Sequence, residues 1–231
     1  MIDWTQIDTV MLDMDGCLLD LHYDNRLWNE LVPARYGQAQ GISAEEARRL
    51  LYGHLLGERR DLEFYCIDFW TRRTGLDIIA LHHELAHLVD YRPGAAAFLD
   101  WLRGRVRTLL VTNAHRTSLA VKERCLGLGK RLDRVFSSHD FGAPKESGAF
   151  WSRLSGVERF DPARTLFIDD TQTVLDAASN YGIGHLLTII QPDSGRSPRA
   201  DLAYPAFNDF NELIEAASLG RTLRVPRTEG S

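Results

Sequence analysis

Apolar residues in this chain follow two rhythms. Short unbroken runs bounded by polar or turn residues occur at Val10-Met11-Leu12, Leu109-Leu110-Val111 and Leu166-Phe167-Ile168, with shorter or looser ones at Val135-Phe136 and over 186–190. Runs of four to eight such residues fit strands buried on both faces of a parallel sheet. Between the later runs, apolar residues recur at helical spacing over about 95–102, 118–126 and 174–181. A further helix is expected after Lys145, and a last one capped by Asn208 and running through Ile214. This alternation predicts an α/β fold with a doubly wound parallel sheet.

The interval between the first run and the second is too long for a simple crossover, and its pattern is helical throughout. Leu27, Trp28, Leu31 and Val32 mark one helix that Pro33 should bend or end. Ser43 and Glu46 have the spacing of a capping box and open a helix through Leu50-Leu51 to Leu55-Leu56. Asp61 begins another, carrying Leu62, Tyr65 and Phe69 and closing at Gly75; a fourth covers 78–88. The expected organisation is a core built from residues 1–20 and 92–220, a helical unit over 21–91, and a disordered polar tail over 221–231.

Composition narrows the class. Of the 231 residues, 44% are hydrophobic and 26% charged, as in ordinary globular proteins, and the net charge of −5 comes without a long basic run. A nucleic-acid partner is not expected, although a single nucleotide at a local site is compatible with this charge. No apolar stretch reaches the roughly 20 residues a membrane span requires, and the first residues lack a signal-peptide pattern. Cys17, Cys66 and Cys125 are few and scattered, which fits reduced thiols and a cytoplasmic location. Nothing in the sequence fixes an oligomeric state.

The chemistry-bearing residues lie where the predicted strands end. Asp13 and Asp15 follow the first run and are succeeded at once by Gly16; Thr112 and Asn113 end the second; Asp169 and Asp170 end the third. Lys145 lies between the last two in chain order, after the turn Gly142-Ala143-Pro144. Parallel α/β sheets bind ligands outside the carboxyl ends of their strands. Carboxylates gathered there favour a hard divalent cation such as Mg²⁺, which prefers oxygen ligands and phosphate-bearing partners.

In type and order, these four motifs resemble those of the haloacid dehalogenase (HAD) superfamily of phosphotransferases. The resemblance implies a HAD-like Rossmannoid core with 21–91 as a cap over the active site. It makes Asp13 the nucleophile that forms an aspartyl-phosphate and Asp15 the acid for the leaving alkoxide and base for the attacking water. Thr112, Asn113 and Lys145 would bind the phosphoryl group along with Asp15, Lys145 neutralising charge. Mg²⁺ would be held by Asp13, the backbone carbonyl of Asp15 and the acidic pair, with Asp170 as the direct ligand and Asp169 nearby or bound through water.

Further segments are similar to the bacterial GMP/IMP-type purine 5′-nucleotidases of that superfamily: Tyr23-Asp24-Asn25, Trp28, Thr112-Asn113-Ala114-His115, His139-Asp140-Phe141-Gly142 and Pro192-Asp193-Ser194-Gly195. The function this implies is Mg²⁺-dependent hydrolysis of purine nucleoside 5′-monophosphates, GMP or IMP. The alternatives are a phosphatase for small sugar phosphates or phosphoglycolate, and a non-catalytic phosphate-binding protein of the same fold. The cap aromatics Tyr23, Trp28, Phe64, Tyr65, Phe69 and Trp70 could offer a base a stacking surface. Helical spacing makes Tyr65 and Phe69 better candidates for core.

Some positions depart from the superfamily's pattern or compete with it. Cys17 stands where Thr or Val is common and is expected to be a packed small residue. Val174 replaces a carboxylate or Asn in the acidic motif. Lys122 and His115 are weaker candidates, a helix lysine being ordinarily solvated. His83-Glu84-Leu85-Ala86-His87 matches the short zinc-protease pattern, but the extended form would need Gly and His at Asp90 and Pro93, so the segment is expected to be structural. A phospho-accepting receiver domain would carry its acidic pair first, and a hydrolytic dehalogenase has no use for Asp15 or a magnesium-binding pair.

Overall fold

The computed structural model describes residues 2–53 and 61–218. The predicted helix end at Leu55-Leu56 and the tail over 221–231 lie outside the described residues. Six strands form one parallel sheet: β1 (Thr9–Leu12), β2 (Arg107–Thr112), β3 (Arg134–Ser137), β4 (Thr165–Ile168), β5 (His185–Ile189) and β6 (Ala206–Phe207). Their spatial order is β3-β2-β1-β4-β5-β6, which puts the wholly buried β1 at the centre. Register sets Leu12 beside Leu110 on one side and Ile168 on the other. The residues that follow β1 and β4, Asp13 and Asp169, therefore emerge at the same level. Only β6 escaped the sequence pattern, because two residues are too few to show a periodicity.

Between β1 and β2 the described chain is helical apart from short connections. The predicted break at Pro33 takes another form. A π-helical turn over Leu27–Leu31 joins α1 (His22–Arg26) to α2 (Val32–Gln40), and Pro33 sits in the first turn of α2. There its missing N–H costs no hydrogen bond, so the helical path continues. Ser43 caps α3 (Ala44–Tyr52) by accepting from the Glu46 N–H at 3.2 Å, while the Glu46 carboxylate turns toward Arg49 instead of completing the box. The helix expected from Asp61 to Gly75 is two pieces, a 3-10 turn at Leu62–Tyr65 and α4 (Ile67–Thr74), parted by extended backbone at Cys66. That break lets the Trp70 indole donate to the Phe64 carbonyl at 2.8 Å. Likewise α5 (Ile78–Glu84) stops short of Leu88, and a separate 3-10 turn covers Ala86–Leu88.

The insert has its own hydrophobic cluster around Leu27, Val32, Leu51, Ile67, Trp70, Ile78 and Leu81. Trp70 is 1% exposed and meets the rings of Trp28, Tyr52, Phe64 and Phe69. Truncating such a buried indole costs about 3–5 kcal/mol. At the two ends of the insert, Tyr23 and Val89 pack into the cluster beneath the sheet.

Alternation along the strands feeds two cores, one per face. Val10, Leu12, Leu110 and Ile168 pack with Phe98 and Leu99 of α6 (Ala95–Leu102) and Leu119 of α7 (Arg116–Leu126). Met11, Leu109, Val111 and Phe167 pack with Phe150 and Trp151 of α8 (Gly148–Val157) and Leu175 of α9 (Gln172–Tyr181). The last described helix, α10 (Asn211–Ser218), buries Leu213 on the first face. No helix among the described residues is long and apolar enough to cross a membrane.

Candidate active site

Past Leu12 the chain turns sharply. The Asp13 N–H donates to the Ile168 carbonyl at 2.9 Å, which anchors the first carboxylate to β4. The Leu19 N–H then donates to Met14 at 2.8 Å and the Gly16 N–H to Leu19 at 2.9 Å, folding Asp15 back over the strand ends. Gly16 is required here on two counts. Its φ is +83°, and a Cβ on it would lie 2.9 Å from the Asp170 carboxylate.

Asp13, Asp169 and Asp170 converge, one carboxylate oxygen from each lying within 4.8 Å of the others. Burial drives their pKa values upward, and their mutual repulsion adds to it. Asp13 is pushed up to about 7 and Asp169 and Asp170 to about 6. Lys145, 2% exposed, is wedged among them: its ammonium contacts Asp13, donates to Asp169 at 2.6 Å and to the Val111 carbonyl at 3.1 Å. Burial works against that positive charge, but the Asp13 and Asp169 carboxylates outweigh it and raise the Lys145 pKa.

The acidic pair divides by what its oxygens already hold. Asp169 spends Oδ2 on Lys145 and Oδ1 on the Thr171 N–H at 2.8 Å. Asp170 accepts only from the Thr171 hydroxyl, at Oδ1 and 3.1 Å, so among the described residues its Oδ2 has no donor. The Arg199 guanidinium donates to the Asp170 backbone carbonyl at 2.7 Å and fixes the turn from behind. Val174, where a further carboxylate was conceivable, is buried against Leu175 and Phe167, and Thr171 supplies the polar contacts instead.

Thr112 ends β2 with its hydroxyl accepting from the Ala114 N–H at 3.0 Å, which leaves the hydroxyl proton free to donate elsewhere. The Asn113 side chain is committed: Oδ1 accepts from the Lys145 N–H and Nδ2 donates to Glu146, both at 2.9 Å. Glu146 also accepts from the Tyr65 hydroxyl at 2.7 Å, so one carboxylate joins insert to sheet.

Lys122 corrects the sequence expectation of a solvated lysine. It is 1% exposed, and its ammonium donates to Asp15 at 2.6 Å and to both oxygens of Asp24 at 2.9 Å. Asp24 is pushed up to about 7, by burial first and then by Asp15 beside it. No local pattern signals this, because Asp24 belongs to the insert, 98 positions away. His115, the other weaker candidate, caps α7 by accepting from the Thr117 N–H at 3.3 Å.

These groups form one end of a cavity of about 610 Å³ whose other walls are insert residues, among them Asn25, Trp28, Arg48, Tyr52, Phe64 and His82. That volume suits a ligand of drug or nucleotide size. Trp70 and Tyr65 border it as well, whereas Phe69 does not. His82 is buried, its Nδ1 paired with the Tyr23 hydroxyl at 2.7 Å, and burial lowers its pKa to about 3.

The zinc-protease pattern dissolves in three dimensions. Because α5 ends at Glu84, His83 and His87 are not carried on one continuous helix, and the Glu84 carboxylate accepts from Arg35 at 2.7 and 2.9 Å. Cys17 is fully buried, its thiol donating to the Ile168 carbonyl, and burial raises its pKa.

Residues 7–182 match the haloacid dehalogenase-like hydrolase family. The chain is 40% identical over 215 residues to the GMP/IMP nucleotidase YrfG of Escherichia coli K12, covering 92% of this chain and 96% of that protein; the Shigella flexneri protein of the same name matches to the same extent. Among solved structures, a HAD phosphatase from Thermococcus onnurineus superposes with a TM-score of 0.74 at 22% identity, covering 93% of this chain and 98% of that one. The magnesium-bound HAD-hydrolase YfnB from Bacillus subtilis gives 0.62 at 20% identity, covering 91% and 98%. Both share the fold.

Proposed function

We propose that this chain, which belongs to the haloacid dehalogenase-like hydrolase family and is a phosphoric monoester hydrolase, hydrolyses purine nucleoside 5′-monophosphates through an aspartyl-phosphate on Asp13, with Mg²⁺ as its cation. The observation that carries this reading is the placement of Asp13, Asp15 and Lys145 at one end of a cavity whose other walls include Trp28 and Tyr52. Phosphate chemistry and a surface for a base thus share one enclosure. The 40% identity to a GMP/IMP nucleotidase along nearly the whole chain supports the substrate class.

The charge balance argues for a cation. Among the described residues, the carboxylates of Asp13, Asp15, Asp24, Asp169 and Asp170 outnumber the two lysines that pair with them, Lys122 and Lys145, and the cavity borders all seven. A phosphate dianion would be repelled from such an enclosure. Asp13, Asp169 and Asp170 suit a hard divalent ion in donor type and spacing. Asp13 and Asp170 Oδ2 would hold it directly, with the Asp15 carbonyl, while Asp169 stays with Lys145. When bound, Mg²⁺ supplies the positive charge that lets an anionic ester approach an anionic nucleophile.

The remaining work falls to side chains. The Asp13 carboxylate attacks phosphorus, and the nucleoside 5′-oxygen departs with a proton from Asp15. Asp15 then takes a proton from the water that attacks the aspartyl-phosphate, which frees inorganic phosphate and restores Asp13. The Thr112 hydroxyl, the Asn113 backbone N–H and the Lys145 ammonium bind the phosphoryl oxygens that do not react. The helical insert encloses the leaving group and keeps out bulk water before the proton transfer. A phosphate-release panel of nucleotides, sugar phosphates and phosphoglycolate, run with Mg²⁺ and with EDTA, tests this reading. GMP or IMP should lead and EDTA should abolish release; a hexose phosphate or phosphoglycolate far ahead of every nucleotide would refute the substrate class.

A further inference from the structure

We propose that Cys66, His115 and His139 form a second metal site, one for a borderline-soft transition-metal ion such as Zn²⁺, which ties the helical insert to the sheet. The sulfur of Cys66 and one ring nitrogen from each histidine lie within 4.8 Å of one another. The three come from separate places: Cys66 from the extended break before α4, His115 from the turn that opens α7, and His139 from the 3-10 turn Ser138–Asp140 after β3. Nothing in the local chain requires them to meet.

The trio has the chemistry of a ligand set and not of a packing contact. One thiolate and two imidazoles suit Zn²⁺, whereas the all-oxygen cluster at Asp13, Asp169 and Asp170 suits Mg²⁺. His139 Nε2 is buried and makes no close hydrogen bond, although the ring lies near the Tyr65 and Asn113 backbone, so an ion would complete its bonding. The His115 and His139 rings meet edge to face with centroids 4.8 Å apart, so both can turn a nitrogen to a common point. Cys66 is partly buried, and its side chain makes no capping hydrogen bond to α4. Zinc–ligand bonds of about 2.0–2.3 Å in a tetrahedral array set the ligands roughly 3.5 Å apart. Closing from at most 4.8 Å to that spacing takes a relative shift of about an ångström or less, and the Cys66 thiol proton leaves to solvent. His115 gives up little in the process, since its bond to Thr117 is already long at 3.3 Å.

The position adds meaning. Tyr65, next to Cys66, reaches Glu146; Glu146 accepts from Asn113, two residues before His115; and Asn113 accepts from the Lys145 N–H. An ion at the trio would therefore reinforce the hydrogen-bonded link between insert and sheet beside the cavity. This inference does not depend on which ester is cleaved, and its test reads binding, not turnover.

The experiment is a Co²⁺ titration of the full chain under excess Mg²⁺, followed by absorption, with Zn²⁺ displacement at the end point. A thiolate-to-cobalt charge-transfer band saturating at one equivalent and bleached by Zn²⁺ is expected. Cys66→Ser should remove the band and Cys125→Ser should leave it intact. His139→Ala should weaken affinity beyond the 10–100-fold typical of losing an outer-shell partner. In the unmodified chain Zn²⁺ should shield Cys66, but not Cys125, from alkylation; this readout needs no variant to fold. No thiolate band, a band that survives Cys66→Ser, or equal alkylation of Cys66 with and without Zn²⁺ would overturn the site.

Discussion

The Lys122 ammonium lies 2.6 Å from the Asp15 carboxylate, and the same ammonium holds both oxygens of Asp24. One buried lysine thereby connects the residue expected to move protons with the first helix of the insert. Removing it leaves two carboxylates facing each other without a counterion, and breaking a buried pair of this kind costs about 3–5 kcal/mol. Lys122→Met should lower thermal stability, reduce kcat by at least about tenfold and shift its pH profile, while Lys122→Arg should recover part of both. An unchanged pH–kcat profile in Lys122→Met would remove Lys122 from the account.

The proposed metal site would have a pH signature with a defined sign. Asp13 rises from 3.8 to about 7 in the folded protein, and Asp169 and Asp170 rise to about 6. Between 3.8 and those values the metal-free fold holds protons that the unfolded chain has released, so these groups stabilise below the window and lose that contribution as pH rises through it. Protons and Mg²⁺ compete for the same oxygens. The Tm gain from saturating Mg²⁺ should therefore be small near about pH 5 and grow to a plateau by about pH 8; at 100 times Kd the plateau corresponds to about 2.7 kcal/mol. A gain that is flat with pH, or that survives Asp170→Asn undiminished, would contradict this assignment.

Gly16→Ala tests the fit of the turn. The new methyl would meet the Asp170 carboxylate at 2.9 Å while the backbone stays at φ +83°, a conformation that costs an L-residue roughly 1–2 kcal/mol. The variant should remain folded, with a modest drop in Tm, but bind Mg²⁺ at least about tenfold more weakly, since Asp170 must move. Isothermal titration with Mg²⁺ reads this directly; wild-type affinity would show that Asp170 does not hold the ion.

The proposed base recognition would fall to the insert wall of the cavity. Trp28→Leu should lower kcat/KM for GMP or IMP by about tenfold or more, the worth of a lost base–aromatic stack of 1–3 kcal/mol, and leave p-nitrophenyl phosphate within about twofold. Equal losses on both substrates would mean that Trp28 supports the insert's packing through Trp70 and does not contact the base.

The strand-end chemistry was legible because it is local. An apolar run that stops at Asp13, Thr112 or Asp169 displays both the buried strand and the residue at its carboxyl end, and the parallel register then levels those ends. Lys122 was not legible, since on its own helix it is one polar residue among others; only the folded insert brings Asp24 to it. The Cys66, His115 and His139 trio is hidden in the same way: the two histidines belong to separate segments of the sequence, and only the folded insert brings Cys66 to them. The reverse also occurs. His83-Glu84-Leu85-Ala86-His87 has the right spacing for a two-histidine helix face, yet α5 ends at Glu84 and the face never forms. Spacing carries chemistry only where the helix continues.

In the proposed mechanism phosphate passes through the Asp13 carboxylate. Acid-quenching the enzyme during turnover of GMP or IMP with Mg²⁺, followed by peptide mass spectrometry, tests it most directly. Phosphate is expected on the peptide containing Asp13, at the Asp13 side chain, and Asp13→Asn should show neither the adduct nor turnover while melting as a folded protein. Robust phosphate release by Asp13→Asn, or an adduct on any other residue, would contradict the mechanism.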